Sequence, residues 1–443
     1  MFKLFLISIQ FTVILLISLL ILENSFIISF EIKDFIYSFS STYALILLFI
    51  FFIIIFIFQS LYFKTKFNLQ RYSINKKIKE KERGYDYFVS GMVALANKDY
   101  KLAIKESKKI LDHIDDNPSL HLLLKSEALK LEKKYEDLND VYEEMSKDKN
   151  TQILGYRGMM EQYLRAQDYH HAFIYGEKLF NSNSGIEKIY ETLVNIIIKI
   201  NNWHQLIIIT DKAYSKKIIS KKIYEENKSI ALYEIAKIKQ FSEIKESISL
   251  VNKALKLREK FPPYIKLYID LLIKDNQLNY AKKYLKKMWK VSPHTEYRES
   301  LILLSEKLKI EYFDLIKFVT KESSDLESSK LLLIEASIKN KKWNDARRII
   351  QDLLSSQPKK EVCVLMATIE EGENNDIQKK NSWLLRSRNG NNSNMWVCMI
   401  SRKSQSSWSS ISLGGFFNSL EWKEPYMLNE TNSENYNIVS YEN

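Results

Sequence analysis

Six histidines and two cysteines have the widest chemical range in this 443-residue chain. A histidine can ligate haem iron axially, and a cysteine thiolate can ligate zinc. His113, His121, His170, His171, His204 and His294 are scattered, and no C-x-x-C-H run exists for covalent haem attachment. His170 and His171 are adjacent, so on a helix at most one of them faces a common surface. Cys363 and Cys398 are 35 positions apart. Two cysteines make no disulfide framework, and a reducing compartment suits them. One thiolate cannot complete a tetrahedral zinc site. The ten glycines form no G-x-G-x-x-G turn. No paired carboxylates and no nucleophile–base set emerge either. The chain is therefore expected to be no enzyme, with no catalytic residue, no cofactor and no metal.

What does recur is steric. A polar residue, a large apolar or aromatic one, two variable positions and a small or aliphatic one repeat after residue 84. They stand at Tyr100/Ala103, Tyr135/Leu138, Tyr169/Ala172, Trp203/Leu206, Phe241/Ile244, Leu278/Ala281, Phe313/Ile316 and Trp343/Ala346. A spacing near 34 residues is that of the tetratricopeptide repeat (TPR), two antiparallel helices per unit. The aromatic opens the second helix and fills the gap between helices. The small residue lets the first helix approach. Gly91 and Ala96 serve the same packing on the first helix of the opening unit. Pro118, Pro262, Pro293 and Pro358 fall at unit ends, where a helix must stop. Such units bury their apolar faces only against their neighbours and line a groove that takes peptides. Arg157 lies on an apolar stretch, either paired with Glu161 four residues on or facing the groove as a contact for an acidic segment.

The elements before the repeats are apolar. Leu4–Leu22 and Tyr43–Phe63 carry no charge, and each is long enough as a helix to reach roughly 30 Å, the thickness of a bilayer's hydrocarbon core. A cleaved signal peptide is the alternative for the first run, but Ile21-Leu22-Glu23-Asn24 lacks a small-residue cleavage site. Two retained spans are expected. Glu23, Glu31 and Asp34 lie between them, and eight Lys/Arg follow from Lys64 to Arg83. The positive-inside rule places that flank and the N-terminus in the cytoplasm. No ionisable residue lies inside either run, which disfavours ion conduction. The lipid bilayer is one expected partner.

The formal charge of +12 is dilute. Residues 1–83 hold ten Lys/Arg against five Asp/Glu, and the remaining excess is spread over 360 residues. No nucleic-acid stripe results. Ten Gly and six Pro suit helices rather than turn-rich folds. The expected fold is all-α, in four parts. These are a transmembrane hairpin (1–63, helices about 4–22 and 43–63), a basic linker (64–83), a TPR-like α-solenoid (84–380) and a small irregular aromatic tail (381–443). The tail holds Trp383, Trp396, Trp408 and Trp422. It is expected to pack as a metal-free aromatic hairpin on the last repeat, with disorder after Pro425.

Two apolar runs, a basic linker and Arg83-Gly84-Tyr85-Asp-Tyr-Phe-Val-Ser-Gly91-Met-Val-Ala-Leu-Ala96-Asn-Lys-Asp99-Tyr100 resemble the opening of the HemY family. Leu120-His-Leu-Leu-Leu124, Leu154-Gly155-Tyr-Arg157-Gly158 and Asn202-Trp203 extend the likeness, which is most specific between 83 and 205. Trp396-Val-Cys398, Trp408 and Phe417-Asn-Ser-Leu420-Glu-Trp422 resemble a two-knuckle ending of some relatives, but Ser401 and the residues near 411–415 stand where further cysteines would be. The resemblance implies a multi-pass inner-membrane TPR scaffold with a cytoplasmic solenoid. It also implies protein partners among late haem-biosynthesis enzymes. A direct haem or porphyrin carrier, or a TPR factor for envelope assembly, remains the alternative.

Overall fold

The computed structural model describes residues 2–23, 27–32, 35–114, 118–182, 187–354 and 358–426. The disorder expected after Pro425 falls almost wholly outside them. The chain is mostly helical, 74%, and divides at residues 155/156 into two compact units.

The first unit opens with α1 (Phe2–Glu23) and an antiparallel hairpin, β1 (Ile27–Ile32) against β2 (Phe35–Ser40), in register Ile27↔Ser40 to Ile32↔Phe35. The segment between the apolar runs is thus a β-hairpin, where an all-α chain was expected. Next, α2 runs from Ser41 to Ala96 as one 56-residue helix. It spans the second apolar run, the basic linker and the first helix of the first repeat, so the linker is no separate element. It holds no proline to break it. Of the described helices it is the one long and apolar enough to cross a membrane, while Ser8–Leu20 of α1 is a shorter apolar helix.

Then come α3 (Tyr100–His113), α4 (Ser119–Glu132), α5 (Tyr135–Lys147) and α6 (Gln152–Arg165), the last crossing the unit boundary. Gly84 and Gly91 are seven residues apart, on one face of α2. A Cβ on Gly84 would lie 2.4 Å from Ile114 Cγ1, and one on Gly91 2.3 Å from Leu124 Cδ2. Their bareness lets α2 close on α3 and α4 over Ala94, Ala103, Ile110 and Ala128. Ala96 is exposed; Ala94 takes the packing position.

The second unit continues as helix pairs: α7 (Tyr169–Asn181), α8 (Glu187–Lys199), α9 (Trp203–Ser215), α10 (Lys221–Lys239), α11 (Ile244–Leu257), α12 (Pro262–Lys274) and α13 (Leu278–Val291). They are followed by α14 (Arg298–Leu308), α15 (Tyr312–Thr320), α16 (Glu327–Lys339), α17 (Trp343–Gln351), α18 (Lys360–Asn374) and α19 (Ile377–Arg388). A three-stranded antiparallel sheet is the last of the described elements, β4 (Ser404–Gln405)–β3 (Met395–Cys398)–β5 (Leu420–Lys423), with Trp396 opposite Trp422. Residues 395–423 of the tail therefore carry a small sheet where an irregular segment was expected.

The recurring motif has a local physical basis. The residue two before the aromatic takes a left-handed backbone, as at Lys98, Gln167 and Asn201. The next, polar residue caps the second helix. Asp99 accepts from Leu102 N at 3.0 Å, Asp168 from His171 N at 3.1 Å and Asn202 from Gln205 N at 3.2 Å. Ala103, Ala172, Ala281 and Ala346 are wholly buried, and Trp203 nearly so. Tyr100, Tyr169 and Trp343 are half-buried and Tyr135 is exposed. Trp343 lies against Gly372, whose Cβ would meet Cη2 at 2.2 Å. The fifth unit is displaced. Phe241 is 83% exposed and α11 begins at Ile244, so Ile244/Ser247 replaces Phe241/Ile244 as its packing pair, with Ser247 buried. The cause is α10, which at 19 residues outruns its neighbours and delays the next turn.

Candidate protein-interaction groove

In the second unit the first helices of successive pairs are tied side by side by polar contacts. Asn227 Nδ2 on α10 donates to Tyr190 OH on α8 at 2.8 Å. Ser229 Oγ on α10 meets Tyr264 OH on α12 at 3.1 Å. Ser300 Oγ on α14 donates to Asp270 on α12 at 2.5 Å. Arg298 on α14 pairs with Glu335 on α16 at 2.7 Å and Glu361 on α18 at 2.5 Å. Glu335 is pushed up to about 6 by burial, against the pull of Arg298. This ladder lines the face on which a TPR array presents its groove.

That face is occupied by the chain's own tail. Trp408 packs edge-on to Tyr233, Phe261 and Tyr264, with ring centroids 5.1 to 5.9 Å apart. Trp396 and Trp422 stand against His294 at 5.6 and 4.2 Å. One carboxylate oxygen of Glu296 accepts from Trp396 Nε1 at 2.6 Å and from the Trp408 backbone N–H at 3.1 Å. Asn418 Nδ2 donates to Glu226 on α10 at 3.1 Å. Trp396 and Trp408 become almost fully buried. Burial raises the Glu296 carboxyl above its ordinary value although both tail donors favour its charge. His294 Nδ1 accepts from Glu296 N at 3.1 Å, and burial holds the imidazole down at about 4.

The aromatic tail was expected on the last repeat. It sits instead on α10, α12 and the α13–α14 connection, because the rings that complement it and the Glu296 acceptor are there. Trp383, on α19, does join the last-repeat cluster of α16 to α18. Ser393 Oγ reaches Glu361 on α18 at 3.2 Å. In the tail's first turn Cys398 Sγ accepts from Ser401 N at 3.3 Å and lies 3.2 Å from Ser419 Oγ. Burial pushes this thiol up, but hydrogen bonding from Ser401, Ser412 and Ser419 more than offsets it, to about 6. No group of three or more metal-ligating side chains occurs among the described residues. The Phe261-Pro-Pro-Tyr264 run is the one local sign of the seat; nothing in the repeat signature marks Glu226, Tyr233, His294 or Glu296.

The histidines are not gathered. His113 bonds Glu80 at 2.6 Å and stacks on Tyr87. His121 is buried against Ser107 O at 2.6 Å. His171 pairs with Asp168 at 2.7 Å and stacks on Tyr163, whereas His170 and His204 are exposed. Arg157 is half-buried, and among the described residues no carboxylate, Glu161 included, lies within ion-pair distance of it.

No protein family matches the sequence, and no curated protein does. Similar solved structures are repeat proteins. The TPR2AB-domain:pHSP90 complex of yeast Sti1 is 11% identical, with a TM-score of 0.28 over 71% of this chain and 99% of that one. The pilF protein of Pseudomonas aeruginosa is 13% identical, with a TM-score of 0.25 over 59% of this chain and 99% of that one. A tetratricopeptide repeat protein from Parabacteroides merdae is 13% identical, with a TM-score of 0.26 over 56% of this chain and 99% of that one.

Proposed function

We propose that the chain is a membrane-anchored repeat adaptor that gathers protein partners at a bilayer surface. The observation that carries this reading is α2, one helix leading from an uncharged 21-residue run directly into the first repeat. With α1 it forms the anchor, and the basic flank after Phe63 sets the repeats on the cytoplasmic side. The partners are late haem-biosynthesis enzymes of the inner membrane. The stretch from Arg83 to Gln205, with its likeness to the HemY opening repeats, supports that choice. Arg157, which has no ion-pair partner among the described residues, is a contact for an acidic partner segment.

The test is cross-linking in intact cells followed by purification of the full chain. Recovery of haem-pathway enzymes well above a control membrane protein, reduced by Arg157→Glu, is the expected result. Recovery equal to the control sinks the haem assignment.

A further inference from the structure

The basic stretch after Phe63 is more than a topology signal. As part of one continuous helix, it carries an apolar stripe. Phe67, Ile74, Ile78, Tyr85, Val89 and Met92 recur at intervals of 7, 4, 7, 4 and 3. Those intervals place all six on one face of α2. Each is between 47% and 64% exposed. The opposite face, with Gly84, Tyr87, Gly91 and Ala94, is the one packed on α3 and α4. Beside α3 and α4 the stripe is thus the uncovered side of the helix; from 64 to 79 the helix is exposed all round, Leu69 and Tyr72 included, and the aligned row is about 38 Å long at 1.5 Å per residue. Scattered exposed apolar residues need no explanation, but an aligned row of this length, interrupted by Arg71 and Lys81, marks an interaction surface.

Charge and geometry select the occupant. Between 64 and 83 the helix holds eight Lys/Arg against Glu80 and Glu82, and Arg71 and Lys81 lie within the stripe. A second copy anchored in the same membrane would lie parallel and bring Arg71 onto Arg71, which like charge opposes. Lipid reaches only the first turn. On an unbroken helix Ile74 stands about 16 Å, and Tyr85 about 33 Å, beyond Phe63, past a headgroup layer only some 6 Å deep. We propose that this stripe docks an acidic amphipathic helix of a partner protein, its apolar face on Phe67–Met92 and its carboxylates on the flanking Lys and Arg. Helix-on-helix docking of this kind reads its anchors at i, i+4 and i+7. The exclusion of lipid and of a second copy rests on the anchored reading above.

The experiment uses the full chain in neutral phosphatidylcholine nanodiscs. The probes are two synthetic 25-residue helical peptides with leucine along one face, flanked in one by Glu and in the other by Lys. The acidic peptide is expected to bind at least about ten-fold more tightly, a gap that one 1.4 kcal/mol difference supplies. The pair Ile74→Ser and Ile78→Ser should remove that binding, and Arg71→Glu with Lys77→Glu should reverse the preference toward the basic peptide. A merely structural role for these residues would not produce that reversal. Unchanged melting curves show that the variants fold. Equal affinity for both peptides overturns the proposal. So does cross-linking of Ile78→Cys between copies, or transfer of a dye at position 78 into lipid when anionic phosphatidylglycerol is added. If the chain fails to enter nanodiscs the anchored reading falls, while the same peptide comparison in detergent still decides the stripe.

Discussion

Trp396 and Glu296, a hundred residues apart in sequence, are joined by a 2.6 Å hydrogen bond from the indole N–H to the carboxylate. The same oxygen accepts the Trp408 backbone N–H, so one side chain holds two points of the tail. Glu296→Ala leaves both donors buried without a partner. Each such orphan costs about 1–3 kcal/mol, enough to release the tail while the helix pairs remain. Faster cleavage between Gly390 and Met395 under limited proteolysis, with unchanged helical circular dichroism, is expected. Trp396→Phe removes one donor and should have the smaller effect.

The tail should also loosen in acid through His294. Its imidazole is held at about 4 by burial, below the ordinary 6.5. The folded state therefore binds this proton less readily than the unfolded state. The stabilising contribution is complete above pH 6.5 and is lost as pH falls toward 4. The full loss is about 3 kcal/mol. Glu296 and Glu335 titrate in the opposite sense, since both are raised, and Arg298 faces the same cluster. The informative quantity is the difference between wild type and His294→Gln. Tryptophan emission followed from pH 7 to pH 4.5 should shift further in the wild type. Superimposable curves would contradict this account.

How far the sequence reaches depends on the range of the interaction. Asp99-Tyr100, Asp168-Tyr169 and Asn202-Trp203 announce their helices because the cap and the first residue are neighbours, and capping is local physics. Phe241 misleads because the length of α10, not the local motif, sets where the next helix begins. Ala96 looks interchangeable with Ala94, and only the rotation of α2 on α3 separates them. The tail's seat is less legible still. Trp408 meets Tyr233 and Phe261 across well over a hundred residues, and nothing near Trp408 encodes that choice. Turns stand at 399–401 and 413–414, but where the sheet docks depends on an acceptor at Glu296 that belongs to another element.

Glu335 gives a stability test with the opposite pH sign. Burial raises its carboxyl to about 6 from 4.5, so the folded protein prefers it protonated. That contribution is complete below pH 4.5 and is lost as pH rises through 6. At neutral pH, Glu335→Gln should stabilise the protein by up to about 2 kcal/mol, because Arg298 keeps Glu361 as a partner. The gain should vanish at pH 4. Urea titrations at the two pH values measure it. A destabilised variant at pH 7 would mean that the Arg298–Glu335 attraction outweighs the cost of burying the charge.

The two glycine contacts of the first unit separate side-chain from backbone crowding. A Cβ on Gly91 would lie 2.3 Å from Leu124 Cδ2, the end of a buried but rotatable side chain. A Cβ on Gly155 would lie 2.4 Å from the backbone nitrogen of Ser146 and 2.8 Å from the Met145 carbonyl carbon. Alanine gains up to about 1 kcal/mol of helix propensity over glycine at either site, while overpacking costs about 1–3 kcal/mol. Gly91→Ala should therefore fall between neutral and about 2 kcal/mol destabilising, since Leu124 can turn. Gly155→Ala should cost more, because a helix backbone has to move. The two also differ in rescue. Leu124→Ala alone should cost about 2–5 kcal/mol, but combined with Gly91→Ala it should cost less than the sum, since each change relieves the other. The same cycle with Gly155→Ala should be additive within about 0.5 kcal/mol. Urea midpoints of the five single and double variants decide it, and an additive Gly91–Leu124 pair would mean that the helices do not meet at that contact.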